Sequence, residues 1–280
     1  MRLSQKIVIN YIRTKFKLLS SLSKRKAAVK AFQLFCTPQH RNKKKLPRVF
    51  EQAEKLHFTF HDVVVRGYRW NHPSEKKALI VHGFESSVIN FDRYVKPLVK
   101  KGYEVLAFDA PAHGRSGGRT INVLLYKEFL ETIINSYGPI QSYIAHSLGG
   151  LAVSLALEGI KHTADWKVVF IAPATETTTA IDTYFNFLKL DNGVRKEFDK
   201  VIYEMSGHKP EWFSVARAVK HIKAQVLWAH DKDDNMTPLS DVEPLLEKNL
   251  PNVQFIITEG LGHRRIYRDN KVSHAVIDFL

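Results

Sequence analysis

The chain has 280 residues, 44% of them apolar, which suffices for one large α/β domain with a substantial core. Its 42 Lys and Arg outnumber its 28 Asp and Glu, but the first 48 residues hold fourteen of the bases and no acid, so residues 49–280 carry 28 of each sign. The positive charge therefore belongs to the start of the chain and implies nothing about a substrate bound further along; the one cysteine, Cys36, excludes an internal disulfide and fits a reducing, cytoplasmic setting.

Over residues 5–25, Val8, Ile12, Phe16 and Leu19 fall on one side of a helix, flanked by Ile9, Tyr11, Leu18 and Leu22. Lys6, Arg13, Lys17 and Lys24 gather opposite, and Lys15 interrupts the apolar side. Such a basic amphipathic arm, taken as residues 1–55, has two outlets: the surface of an anionic membrane, peripherally, or the flank of its own domain. No apolar run here is long enough to span a bilayer or serve as a secretory signal, Ile7-Val8-Ile9 being the longest candidate near the start. The run Arg41-Asn42-Lys43-Lys44-Lys45 lacks interleaved aromatic residues and reads as solvated charge, so nucleic acid is disfavoured as a partner.

From residue 56 the pattern changes. Leu56 to Phe60 and Val63 to Trp70 alternate like an antiparallel pair. Buried strands then alternate with helices: strand 78–81, helix 91–101, strand 104–108, helix 121–137, a strand entering at Gln141-Ser142-Tyr143, an apolar helix from Leu151, and strand 166–171. That rhythm predicts a mostly parallel sheet covered by helices on both faces. It lapses over about 174–218, an aromatic-rich helical insertion read as a lid, and resumes with strands at 225–229 and 253–257.

Loops at the carboxyl ends of parallel strands gather at one edge, where ligands bind. One of them, Ile144-Ala145-His146-Ser147-Leu148-Gly149-Gly150, sets a serine between a strand and a helix with small residues two before and two after it, as a sharp nucleophile elbow requires. Serine is a weak nucleophile that needs a neighbouring base, and the base needs a carboxylate to orient it. His263 after the last strand and an Asp within 231–234 after the penultimate one supply those types in the order Ser, Asp, His. His82-Gly83-Phe84-Glu85 permits a tight turn aiming a backbone N–H into the site, and Asp109 to Ser116 can brace its neighbours.

These motifs resemble the α/β-hydrolase-fold serine hydrolases, the esterase, lipase and serine-aminopeptidase-like group, over about residues 57–280. The resemblance rests on His82-Gly83, Asp109-x-Pro-x-His113-Gly114-x-Ser116, His146-Ser147-Leu148-Gly149-Gly150, the Asp-x-x-x-Pro segment and Gly262-His263, with alanine at 112 and 145 where glycine is typical. It implies Ser147 as nucleophile and His263 as base. The acid is Asp234, four residues before Pro238, with Asp233 as the alternative and Asp231 where glycine is common. The oxyanion would be held by the N–H groups of Phe84 and Leu148. The implied reaction is hydrolysis of a small acyl substrate, an ester or thioester, with amide cleavage as the variant. No metal or cofactor is expected. The rival reading is a non-catalytic binder of the same fold, targeted by the basic arm.

Overall fold

The computed structural model describes residues 3–42 and 44–280; Lys43 of the basic run lies outside the described residues. In chain order the elements are α1 (Leu3–Leu22), α2 (Lys24–Phe35), α3 (Arg48–Glu51), β1 (Glu54–Phe60), β2 (Val63–Trp70), β3 (Lys77–Val81), α4 (Asp92–Lys100), β4 (Glu104–Asp109), α5 (Val123–Tyr137), β5 (Ser142–His146), α6 (Leu148–Gly159), β6 (Lys167–Ile171), α7 (Thr177–Leu188), α8 (Asn192–Ser206), α9 (Val215–Ala218), β7 (Gln225–Asp231), α10 (Glu243–Lys248), β8 (Val253–Thr258), α11 (Gly262–Arg265) and α12 (Asn270–Phe279). They form two compact units, one of residues through Thr37 with Glu176–Phe213, the other of Pro38–Thr175 with Ser214–Leu280.

The larger unit is built on one eight-stranded sheet in the order β1-β2-β4-β3-β5-β6-β7-β8. The β1–β2 and β2–β4 pairs are antiparallel and the remaining five are parallel. Alternation along the inner strands serves both faces. Ile80, Ile144 and Val169 pack with Tyr94 and Val95 of α4 and Val272 and Val276 of α12. Leu79, Val81 and Phe108 turn the other way to Tyr126, Phe129 and Ile133 of α5. The helix expected from residue 121 starts at Val123 because the Asn122 side chain accepts the Leu125 N–H at 2.9 Å and fixes the first turn. Since β3, β5, β6, β7 and β8 run the same way, the chain leaves each of them at the same edge.

The smaller unit is helical. One helix is expected over 5–25, but the chain breaks at Ser23, whose extended backbone and hydroxyl, accepting the Lys26 N–H at 3.2 Å, start α2. Ala27, Ala28 and Ala31 are fully buried on α2, small enough for α8 to approach closely. Phe32 and Phe35 meet Tyr184 and Phe198 edge to face at centroid distances of 5.0–5.9 Å. The Tyr184 hydroxyl donates to the Ala31 carbonyl at 2.9 Å. On α1, Phe16 is buried and Ile12 and Leu19 are half-buried, while Val8 faces outward.

Two basic side chains expected on the solvated side, Arg13 and Lys24, are engaged within this unit, and so is Arg25 beside them. Arg13 donates to the Phe187 carbonyl, 3.1 Å from Nε, at the carboxyl end of α7, where a cation opposes the helix dipole. Lys24 lies 2.7 Å from Asp191, and Arg25 pairs with Glu204. No described helix is long and apolar enough to cross a membrane.

Ile144 is fully buried in the middle of the sheet, so Ile144→Ala leaves a cavity that its neighbours fill poorly. The expected loss is about 2–5 kcal/mol of stability, read as a lower midpoint of denaturant unfolding with an unchanged slope.

Candidate active site

Ser147 stands where β5 becomes α6, at φ 54° and ψ −125°. A non-glycine residue keeps that conformation only when its surroundings impose it, and here two close backbone approaches do so. A Cβ on Gly149 would lie 2.5 Å from the His82 carbonyl oxygen, and one on Gly83 would lie 2.7 Å from the Ser147 Cβ. Neither position admits a side chain. Ala145 is fully buried in β5 between Val81 and Phe170, so its methyl fits the elbow. Ala112 takes φ 68°, a left-handed conformation that glycine adopts at no steric cost.

His263 opens α11 just beyond β8 and is buried. Its Nε2 is 2.9 Å from Ser147 Oγ and its Nδ1 is 2.8 Å from Asp234 Oδ2. The structure thus brings together the serine, the imidazole and one of the two carboxylates weighed from sequence. Asp233 points elsewhere: it is exposed, and its Oδ2 accepts the Gly260 N–H at 2.9 Å.

Asp234 is anchored on both oxygens. Oδ1 accepts the N–H groups of Met236 and Thr237 at 2.8 and 2.9 Å, and Oδ2 accepts the Thr237 hydroxyl at 2.8 Å. Burial pushes its pKa up, but the hydrogen bonds from His263 and Thr237 outweigh burial and hold it below the usual value. Asp234 therefore stays ionised at neutral pH and fixes the tautomer with the proton on Nδ1, leaving Nε2 free to accept from Ser147.

Further hydrogen bonds brace these groups. Asp231 is fully buried, and its Oδ1 accepts the N–H groups of Asp233 and Gly262 at 3.0 and 2.8 Å. Its Oδ2 accepts the Thr258 hydroxyl at 2.6 Å and the Leu261 N–H at 3.1 Å. One carboxylate so joins the loop bearing Asp234 to the loop bearing His263. Burial raises its pKa, yet these four donors hold it low. His146 Nε2 lies 3.0 Å from the His263 carbonyl oxygen and donates to it; burial first, then the neighbouring His263, pushes its pKa down to about 3, so the ring is neutral. The Asp234–Thr237 pair carried a readable signal: an Asp three residues before a Thr often caps its own turn. The bracing roles of Asp231 and His146 carried little, because apart from the Asp233 N–H their partners lie 27 or more residues along the chain.

The His82–Glu85 loop is held against the Asp109–Ser116 loop. The Ala110 N–H donates to His82 Nε2 at 3.0 Å, which puts the His82 proton on Nδ1, 2.7 Å from the Gly83 carbonyl. The Glu85 N–H likewise donates to His113 Nε2 at 2.9 Å. Burial holds both rings neutral, His82 down to about 4 and His113 to about 3. Buried Asp109 accepts Ser87 Oγ at 2.7 Å and the N–H groups of Val88 and Arg115 at 3.1 and 2.9 Å. The N–H groups of Phe84 and Leu148 have no acceptor among the described residues, and Phe84 follows the glycine that touches Ser147. No group of three or more His, Cys, Asp or Glu among the described residues could hold a metal ion. An activated hydroxyl beside unpaired N–H donors suits attack on a carbonyl.

A family model described as serine aminopeptidase, S33, matches residues 72–219. The uncharacterized protein YqkD of Bacillus subtilis is 26% identical over 256 residues, covering 82% of this chain and 81% of that protein. The uncharacterized hydrolase YugF of the same organism is 30% identical over 106 residues, 36% of this chain and 38% of that one. Among solved structures, the esterase Pf2001 of Pyrococcus furiosus superposes with a TM-score of 0.62 at 24% identity, covering 87% of this chain and 95% of that one, a likeness of fold.

Because Asp231 has a lowered pKa in the folded chain, its contribution to stability is fully present above the unfolded-state value of about 3.9 and is lost as pH falls through the folded value. The stability gap between wild type and Asp231→Asn should be widest near neutral pH and shrink below about pH 4. Urea unfolding from pH 7 to pH 3 measures it.

Proposed function

We propose, since the chain belongs to the serine aminopeptidase S33 family of hydrolases, that it cleaves carboxylic esters or thioesters through an acyl-enzyme on Ser147. The observation that carries this reading is the unbroken relay from Ser147 Oγ to His263 to Asp234, at 2.9 and 2.8 Å.

In this mechanism Ser147 Oγ attacks the carbonyl carbon while His263 Nε2 takes its proton. The negative charge that develops on the carbonyl oxygen is received by the N–H groups of Leu148 and Phe84, each donor lowering the barrier by roughly 2.7–4 kcal/mol. Collapse expels the alcohol or thiol, which leaves with the proton from His263. Water then repeats the sequence: His263 removes a proton, the hydroxyl attacks the acyl carbon, and Ser147 departs protonated as the carboxylic acid is released. Asp234 stabilises the imidazolium that forms in each half without itself becoming protonated.

Ser147→Ala should lower kcat for p-nitrophenyl acetate on the order of a millionfold and abolish labelling by a fluorophosphonate. Asp234→Asn should cost roughly ten-thousandfold, whereas Asp233→Asn should leave kcat near the wild-type value. Turnover retained by a folded Ser147→Ala protein overturns the assignment. Faster turnover of leucine p-nitroanilide than of every ester tested would make the chain a peptidase instead.

We also propose that α1 rests on an anionic membrane surface. Supporting this is a second apolar stripe on that helix, Ile7, Tyr11, Leu18 and Leu22, at 62–78% exposure and bordered by exposed Lys15 and Lys17. The full chain should sediment with phosphatidylglycerol vesicles and not with phosphatidylcholine ones, and Tyr11→Glu with Leu18→Glu should release it. Equal sedimentation of wild type and variant would refute the contact.

A further inference from the structure

A cleft of about 540 Å³ opens in the larger unit on the β1–β2 ribbon, beside the loop that follows β4. It is lined by Arg41, Lys55, Arg66 and Arg115, with no Asp or Glu among its lining residues. Strand register explains the gathering. Lys55 stands opposite Tyr68 on the neighbouring strand, two positions from Arg66 and on the same face of the ribbon. Arg115 enters from the β4 loop, anchored by its own N–H on Asp109. Arg41 enters from the segment before β1, its guanidinium held by the carbonyls of Ser116, at 2.9 Å, and Gly118.

Like charges brought together without acids repel one another, and this cluster shows that tension. Lys55 Nζ lies 5.0 Å from the centre of the Tyr68 ring and donates to the Phe50 carbonyl. Its pKa is held below the usual lysine value, by burial first and then, against the pull of Glu51, by Arg115. Arg66 and Arg115 donate through their main-chain N–H groups, and their exposed guanidinium groups have no acceptor among the described residues. Tyr68 also lines the cleft; its residue is buried at 3% exposure, and its hydroxyl makes no hydrogen bond among the described residues. The floor of the cleft is thus the Tyr68 side chain, and its walls are the two exposed, unpaired guanidinium forks of Arg66 and Arg115.

We propose that this cleft binds a phosphate ester of a small organic molecule. Two arginine forks fit the planar faces of a phosphate oxygen set, and the Tyr68 hydroxyl supplies one further donor. The volume lies within the range of small-molecule sites and exceeds what bare phosphate fills, and Leu46 with the Tyr68 ring offers apolar surface for the organic part. The ester is bound and not turned over here, because no nucleophile paired with a base lines the cleft. This inference stands apart from the Ser147 chemistry.

The test is isothermal titration calorimetry of the full chain with phenyl phosphate, with glycerophosphoglycerol as the soluble counterpart of a lipid headgroup, and with inorganic phosphate. Saturable binding of phenyl phosphate, weakened at least about tenfold in Arg66→Ala with Arg115→Ala, supports a free phosphomonoester. Tighter binding of glycerophosphoglycerol, lost in the same variant, supports the site with a headgroup as its source. Ser147→Ala should bind as wild type does, and the double variant should still hydrolyse p-nitrophenyl acetate, which shows that it is folded; the single variants Arg66→Gln and Arg115→Gln serve if it is not. Absence of saturable binding by either ester, or binding indifferent to both arginines, overturns the proposal.

Discussion

The buried carboxylate of Asp231 is the constraint on which the geometry of the site depends. It ends β7, accepts four donors, and two of those are N–H groups in the segment leading to His263. β7 and β8 are neighbours in the sheet, but neighbouring strands alone do not fix how their exit loops lie. The shared carboxylate does. It places Asp234, three residues on, and His263, one residue past Gly262, in one frame, so that a 2.8 Å hydrogen bond between them follows from main-chain positions. Removing one partner from a buried charge leaves the others unsatisfied, which makes such a junction costly to disturb.

Around that junction the polar groups form a supporting layer. Thr237 locks the Asp234 carboxylate, His146 holds the carbonyl of His263, and the neutral imidazoles of His82 and His113 fasten the loop that carries Phe84. Three of these histidines are kept neutral by burial, so each ring has one donor and one acceptor, and the structure assigns them. A hydroxyl and an imidazole held this way need little rearrangement before they act.

What the sequence disclosed and what it withheld divide along physical lines. The strands of the sheet were legible because buried parallel strands are unbroken apolar runs, and Ser147 and His263 were legible because each stands where such a run stops. The choice between Asp233 and Asp234 depended on spacing to Pro238, since adjacent residues in a loop point in different directions and composition cannot rank them. Asp231 and His146 were named only as parts of their motifs, and their bracing roles were not read, because most of their partners lie 27 to 117 residues away. The partners of the charged arm were hidden in a similar way. Periodicity singled out Val8, Ile12, Phe16 and Leu19 with Ile9, Tyr11, Leu18 and Leu22 as flanks, and it gave no sign that Arg13, Lys24 and Arg25 would find partners more than 160 residues later.

That last separation has a bearing on how the chain is made. The first two helices emerge from the ribosome well before α7 and α8 exist, with residues 38–175 still to be synthesised between them. At about 5–20 residues per second the delay is roughly seven to thirty seconds. Over that interval Phe16, Phe32 and Phe35 have no aromatic partners to pack against, while the arm keeps all its positive charge. Like charges of that density repel, and the acids of α8 cancel part of that charge only once the aromatic faces have something to cover them. The lopsided charge of the sequence is thus at its fullest during the stretch of synthesis when the apolar faces of these helices are uncovered.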